Sequence, residues 1–177
     1  MVDELARIAP QTDLRVIGGA TGSAKTRLLE ALAAQGAQVL DLEALAAHKG
    51  SVLGDLPGIA QPTQKSFETR LYLQLQRLDL ARPVFVEAES RKIGAVQIPD
   101  GLLRRMRDAP CLTLEATREA RIEFLLHDYA YLGDDIEALK HKIDAMRTLQ
   151  SNETPVSYTH LRAHETDSYL VCRLLLE

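Results

Sequence analysis

Cysteine is scarce in this chain, whose 177 residues include only Cys111 and Cys172. The two lie far apart and fit no metal-ligand spacing, so a cysteine-held metal centre is excluded. Cys111 belongs to Cys111-Leu112-Thr113-Leu114, a predicted buried strand in which a thiol serves as a small apolar group rather than a nucleophile. No apolar run approaches the length of a membrane span, and no signal-peptide pattern opens the sequence. No membrane partner and a cytoplasmic location are therefore expected. An excess of positive charge is also missing: 21 Lys and Arg stand against 25 Asp and Glu, a net charge of -4. Affinity for a polyanion comes mostly from counterion release at Lys and Arg, so this balance argues against indiscriminate nucleic-acid binding. Arg91-Lys92 and Arg104-Arg105-x-Arg107 remain open as a local RNA contact, although the second group reads more simply as a solvated helix face. Internal repeats and low-complexity tracts are absent. With 46% hydrophobic and 26% charged residues, the chain fits a globular domain large enough for a substantial core.

What is present is a phosphate-binding turn. The apolar run Leu14-Arg15-Val16-Ile17 leads into Gly18-Gly19-Ala20-Thr21-Gly22-Ser23-Ala24-Lys25-Thr26, and the amphipathic run Leu28-Leu29-Glu30-Ala31-Leu32-Ala33-Ala34 follows. Strand, Gly-rich turn and helix in that order are the context a P-loop requires. Inward-pointing backbone amides, the positive end of the helix and the Lys25 charge make the hollow receptive to phosphate oxygens. Gly19, Ala20, Thr21, Gly22, Ser23, Ala24, Lys25 and Thr26 are the predicted phosphate-binding residues, with Thr26 offering a hydroxyl to magnesium. Ala24 replaces the second glycine of G-x-x-x-x-G-K-[ST], and its methyl narrows the space beside the phosphate. An ordinary Gly-rich turn with a solvated lysine is the competing reading.

Taken in order, the chain alternates strands with helices. After a lead-in over residues 1–13, a strand is predicted over 14–18 and a helix over 25–35, stopped by Gly36. A second strand, 38–43, would carry Asp41 and Glu43 to its C-terminal end, where ligands bind in an open parallel sheet. Asp41 serves equally well as a helix N-cap. Residues 48–62, rich in Gly and Pro, form a long loop of the kind that is often functional. A helix begins at Thr63, with Phe67, Leu71, Leu75 and Leu78 as its buried stripe and Gln64 and Glu68 near the site. Residues 82–90 form a central strand closed by carboxylates, as a Walker B element is. Glu87 is the first choice to hold magnesium or orient a nucleophile, and Glu89 the second. Arg91 and Lys92 follow at the carboxyl edge, placed to touch phosphates. A short helix over 99–106 and a strand over 111–115 come next. Thr117 then caps a helix through Tyr131 with Ile122, Leu125, Leu126 and Tyr129 inward, and Arg121 in its first turns could reach an anion. Asp134 and Glu137 open a last helix with Ile136, Leu139, Ile143, Met146 and Leu149 on one face. The resulting fold class is α/β, a P-loop NTPase-like parallel sheet with helices on both faces, filling residues 1–155. The tail, 156–177, fits neither helix nor strand and resembles translated adapter or vector DNA. Its His160 and His164, at i and i+4, lack the further ligands a metal site needs.

Five stretches together resemble the P-loop domain of the tRNA 2-selenouridine synthases, also called tRNA 2-thiouridine selenotransferases. They are Gly19 to Thr26, Gln38 to Glu43, His48-Lys49-Gly50-Ser51, Gln61 to Glu68 and Pro83 to Gly94. This chain has Ala24 and Ala88 where the family has Gly and Asp, and Lys49 where the family has Arg, which forgoes a bidentate contact to phosphate. The family's N-terminal rhodanese-like domain, with its selenium-handling cysteine, is missing from this chain. The resemblance implies a two-step reaction at a tRNA wobble uridine. Geranyl diphosphate alkylates the sulfur of 2-thiouridine, and selenophosphate then supplies selenium as the geranylated sulfur leaves. Lys25, Glu87 and Asp41 are the expected catalytic residues, and Thr26 and Glu87 the ligands of an expected Mg2+. Arg91, Lys92 and Arg121 add phosphate contacts, with Glu43, His48, Ser51, Gln61, Gln64, Glu68, Glu89 and Ser90 as further candidates. ATP or GTP in the same hollow stays open, as do two other functions: an ATP-dependent small-molecule kinase and a non-catalytic tRNA-binding module.

Overall fold

In the computed structural model the described residues are 11–51, 53–134 and Lys140. They divide into two compact units between Glu115 and Ala116. The first is built on four strands: β1 (Leu14–Gly19), β2 (Gln38–Leu40), β3 (Val84–Glu87) and β6 (Cys111–Leu114). Their order is β2-β3-β1-β6 and every pairing is parallel. The helices between them are α1 (Lys25–Ala34), α2 (Leu42–Ala46), α3 (Gln64–Gln76) and α4 (Asp100–Arg107).

Alternation along the strands decides which side chains meet which layer. Leu14, Val16, Leu40, Val84 and Val86 join one apolar cluster with Phe67, Leu71 and Leu75 of α3 and Leu102, Leu103 and Met106 of α4. Residues of the other parity face α1, where Ile17 and Leu29 are buried outside that cluster. Glu87 pairs in register with Ile17, so it shares the α1 face. The expected α/β sheet with both faces covered is therefore the fold observed. Among the described residues no helix is long and apolar enough to cross a membrane.

Four local expectations need correction. The second strand stops at Leu40, because the Asp41 carboxylate accepts a hydrogen bond from Ala44 N at 2.8 Å and starts α2. Asp41 takes the N-cap alternative, and Glu43 sits in the first helical turn. The predicted strand over 82–90 is shorter: β3 ends at Glu87, with one further backbone bond from Ala88, and the chain then turns into an antiparallel hairpin, β4 (Lys92–Ile93) with β5 (Val96–Gln97). Cys111 is exposed rather than buried, since β6 is an edge strand paired on one side only. Leu78 falls beyond the end of α3, and partial burial against the core is what remains of its place in the stripe.

The second unit contains α5 (Arg118–Asp128) and a 3-10 turn over Ala130–Asp134. Thr117 caps α5 as expected, accepting from Ala120 N at 3.3 Å. Leu125 and Tyr129 are buried, and the Tyr129 ring stacks on Tyr131 at 6.0 Å. Leu126 is 38% exposed, contrary to the expected inward stripe, because it lies one residue around the helix from Leu125. The short helix of the lead-in, the body of the last helix and the tail with Cys172, His160 and His164 lie outside the described residues.

Candidate phosphate and cation site

The turn from Gly19 to Lys25 adopts the conformation its glycines permit. Gly19 and Gly22 have φ of 147° and 82°. A Cβ at Gly19 would stand 2.6 Å from Ser23 Oγ and 2.8 Å from the Leu114 carbonyl, so only glycine fits. The Ser23 hydroxyl is buried against Gly19 without a hydrogen-bond partner. Ala24 is the N-cap of α1 in the left-handed region, φ 62° and ψ 31°, and no side chain caps the helix. Ala24 thus gives α1 no side-chain cap, and the amides of Lys25 and Thr26 open the helix without an intrahelical acceptor, which leaves a positive helix end at the turn.

Ala24 holds a conformation that costs an L-residue about 1–2 kcal/mol, while glycine there would add only unfolded-state entropy, roughly 0.4–1 kcal/mol. Ala24→Gly is therefore expected to stabilise the chain, by up to about 1 kcal/mol, and to tighten phosphate binding. Urea unfolding and pyrophosphate titration would check it; a lower midpoint would show that the methyl contributes packing that outweighs the backbone cost.

Below the turn, α1 and β3 bring their polar ends together. Lys25 Nζ lies 3.5 Å from Glu87 Oε1, and Thr26 Oγ1 donates to Glu87 Oε2 at 3.0 Å and lies 3.5 Å from Glu43 Oε2. Ala88 N still bonds the Ile17 carbonyl at 2.8 Å, which extends the β3 pairing past Glu87 and aims Glu89 to the same side. Oxygens of Glu43, Glu87 and Glu89 all lie within 4.8 Å of one another. Burial pushes the Glu43 carboxyl up to about 8 and the Glu89 carboxyl up to about 7, with the Glu87 charge adding to both. Glu87 is also raised by burial, although Lys25 and the Thr26 hydroxyl oppose the shift. Three hard oxygen donors and a threonine hydroxyl in one pocket of unfavourable negative charge are the donor set a small divalent cation requires, so Mg2+ fits these residues.

The electrostatics carry a pH prediction. In the unfolded chain Glu43 ionises near 4.5, whereas in the fold it keeps its proton to about 8. Folding therefore takes up protons across that interval, and stability in chelator should fall as pH rises from 4.5 to about 8, then level off. Saturating Mg2+ should offset most of the loss by binding the folded carboxylates. Thermal melts across pH, with and without the cation, would check this; a flat profile in chelator would contradict it.

The remaining predicted residues divide by position. His48 is buried, with Nδ1 accepting from Gly50 N at 3.1 Å and Nε2 3.4 Å from Asp55 Oδ1. Gln61 donates to the Ala46 and Ile93 carbonyls and accepts from Ala95 N, clamping the hairpin to the end of α2. Gln64 exchanges two hydrogen bonds with the backbone of Gln97 and donates to Glu68. These glutamines hold structure together. Ser51 lies half-buried in the loop, with its amide donating to the Lys49 carbonyl. Ser90 Oγ donates to the Lys92 carbonyl. Arg91 is paired with Asp100 at 2.7 Å, and Lys92 is exposed on β4. Arg121 belongs to the second unit. Sequence reasoning gave no role to Gly50 or Asp55; Gly50 was signalled only by its place in the stretch His48-Lys49-Gly50-Ser51, and Asp55 only by its place in the Gly- and Pro-rich loop.

The chain matches, over residues 12–154, the family model described as the tRNA 2-selenouridine synthase AAA domain. A tRNA 2-selenouridine synthase of Nitrosomonas europaea is 36% identical over 132 residues, 73% of this chain and 34% of the relative. That of Alcanivorax borkumensis is 37% identical over 73% of this chain and 35% of the relative. That of Pseudomonas syringae pv. tomato is 37% identical over 85% of this chain and 42% of the relative. The chain spans about a third of the length of the first two. A crystal structure of a DNA replication initiation factor overlaps 83% of this chain and 59% of its own at 13% identity, with a TM-score of 0.35 that is too low for a functional comparison. By its match over residues 12–154, this chain belongs to the tRNA 2-selenouridine synthase family, in its AAA domain.

Proposed function

We propose that this chain is the phosphate-binding part of a tRNA-modifying transferase that converts wobble 2-thiouridine to 2-selenouridine through a geranylated intermediate. In this reading the Gly19–Thr26 turn holds the diphosphate of geranyl diphosphate. The observation that carries the proposal is the convergence of Lys25 and Thr26 on Glu87 beneath an uncapped helix end. A diphosphate has the charge and shape of the end of a nucleoside triphosphate, so the same hollow can grip it as a leaving group.

In the first step the thiouridine sulfur forms a bond to the allylic carbon while the carbon–oxygen bond breaks, pyrophosphate departs with the electron pair, and the base gives up its N3 proton to water. Backbone amides of the turn and the Lys25 ammonium stabilise the charge that grows on the departing oxygens. Thr26, Glu87, Glu43 and Glu89 would hold Mg2+. When bound, the cation supplies charge neutralisation at the pyrophosphate. Without the cation the three carboxyl groups, two of them holding protons to about 8 and about 7, bring the diphosphate no positive charge, which is why binding should depend on the cation. In the second step the selenium of selenophosphate bonds to C2 of the uracil as geranyl thiol leaves, and the selenium–phosphorus bond breaks with the phosphoryl group passing to water. A rhodanese-like domain and tRNA are the implied partners.

Calorimetric titration of the purified chain with geranyl diphosphate, in Mg2+ and in chelator, tests the proposal. Binding that requires Mg2+, with slow or no ATP hydrolysis, is the expected result. Rapid ATP hydrolysis with no response to geranyl diphosphate would replace this reading with that of a small-molecule kinase.

A further inference from the structure

We propose that His48 is a positioning residue for the carboxylates of Glu43 and Glu89, acting through the backbone of Gly50. This rests on reading the carboxylate cluster as the cation end of the phosphate site.

The geometry runs outward from the cluster. Gly50 has a φ of +61°, and a Cβ built there would stand 2.5 Å from Glu43 Oε1 and 3.0 Å from Glu89 Oε2. The bare Cα of Gly50 is therefore a wall against which both carboxylates rest, and a side chain there would push them aside from a strained backbone. That wall is anchored by the imidazole. Gly50 N donates to His48 Nδ1, so Nδ1 is unprotonated and the neutral ring carries its proton on Nε2, facing Asp55 Oδ1 at 3.4 Å. The ring packs between two glycines, and a side chain at either would displace it. A Cβ at Gly54 would lie 2.8 Å from His48 Cε1, and one at Gly94 would lie 2.7 Å from His48 Cδ2. The His48 main chain completes the connection, its N–H donating to the Glu43 carbonyl at 3.1 Å where α2 ends. Further along the loop, Lys49 N bonds the Gly54 carbonyl at 2.9 Å and closes the stretch from His48 to Asp55 on itself.

Fixing the ring fixes Gly50, and fixing Gly50 keeps the two glutamates turned toward Glu87. An isolated loop would let these side chains swing toward water, where burial no longer opposes their charge. His48 touches neither phosphate nor cation in this scheme. It acts as an outer-layer partner that orients ligands, a role whose loss typically costs about 10- to 100-fold in metal affinity.

The test is Mn2+ binding to the full chain, followed by the electron paramagnetic resonance of free Mn2+, for the wild type and four variants. Gly50→Ala and His48→Ala are expected to weaken binding by about 10- to 100-fold. In His48→Asn the amide oxygen replaces Nδ1 as acceptor for Gly50 N, and affinity should stay within about threefold of wild type. His48→Gln carries its oxygen one bond further out and should bind as poorly as the alanine variant. Because Asn and Gln differ by one methylene, the comparison between them decides the matter even if His48→Ala does not fold. Equal affinity in His48→Asn and His48→Gln, or unchanged affinity in Gly50→Ala, overturns the proposal. A wild-type chain that binds no Mn2+ overturns the cation-site reading itself and the role of His48 with it.

Discussion

Lys25→Ala should weaken magnesium-dependent binding of geranyl diphosphate by about 10- to 150-fold, the equivalent of the roughly 1.5–3 kcal/mol that a hydrogen bond to a charged group contributes. Two losses combine. The phosphate loses the ammonium that the P-loop offers it, and Glu87 loses the cation lying 3.5 Å from Oε1. With side-chain exposures of 13% for Lys25 and 8% for Glu87, water does not replace that partner well. The Glu87 carboxyl should therefore shift further upward, since Lys25 is the main influence that now lowers it. Lys25→Arg should rescue only part of the affinity, because the larger planar head does not fit the space of a compact ammonium. Calorimetry with geranyl diphosphate, pyrophosphate and tRNA in parallel would check these expectations. Loss confined to the two diphosphates supports the proposed site. Unchanged diphosphate affinity would remove Lys25 from it, and salt-dependent tRNA binding without product in both proteins would favour a binding module.

Phe67→Ala should cost about 3–5 kcal/mol of folding stability, the range for truncating a buried aromatic, and lower the melting temperature by roughly 6–20 °C for a chain of this size. Phe67 is wholly buried on α3 and belongs to the cluster that includes Leu14 and Val16 of β1 and Val84 and Val86 of β3. Those two strands carry the phosphate turn and Glu87 at their C-terminal ends, so the same packing that stabilises the sheet sets the distance from Lys25 to Glu87. Phe67→Leu leaves much of the volume filled and should cost less. Denaturant unfolding measures both, and a loss below about 1 kcal/mol for the alanine variant would mean that α3 collapses into the space.

The phosphate turn was legible in the sequence because everything that defines it is local: an apolar strand, glycines at fixed offsets, a lysine and a helix. Glu87 was legible for a similar reason, an acid closing the apolar run Val84-Phe85-Val86. The stretch Gln38-Val39-Leu40-Asp41-Leu42-Glu43 misled because its alternation continues past the true strand end. There a side-chain cap at Asp41 competes with sheet pairing and prevails, which periodicity alone does not register. The hairpin of Lys92–Ile93 and Val96–Gln97 is too short to show any period, and it depends on Gln61 and Gln64 from another part of the chain. Gly50 illustrates the limit most clearly. Its requirement for glycine comes from its positive φ and from the carboxyl groups of Glu43 and Glu89, the second far along the chain, and no local pattern records such a contact. Cys111 shows the reverse error, since an apolar-looking segment at a sheet edge need not be covered.

That edge position has a practical use. Cys111 lies beside Gly18, close enough that a Cβ on the glycine would stand 2.9 Å from its sulfur, and its thiol is exposed to reagents in solution. With Cys172 replaced by serine, an environment-sensitive dye could be attached there by maleimide coupling. Arrival of a ligand one residue further along the backbone could then be followed as a change of emitted light, in stopped-flow, without a labelled substrate.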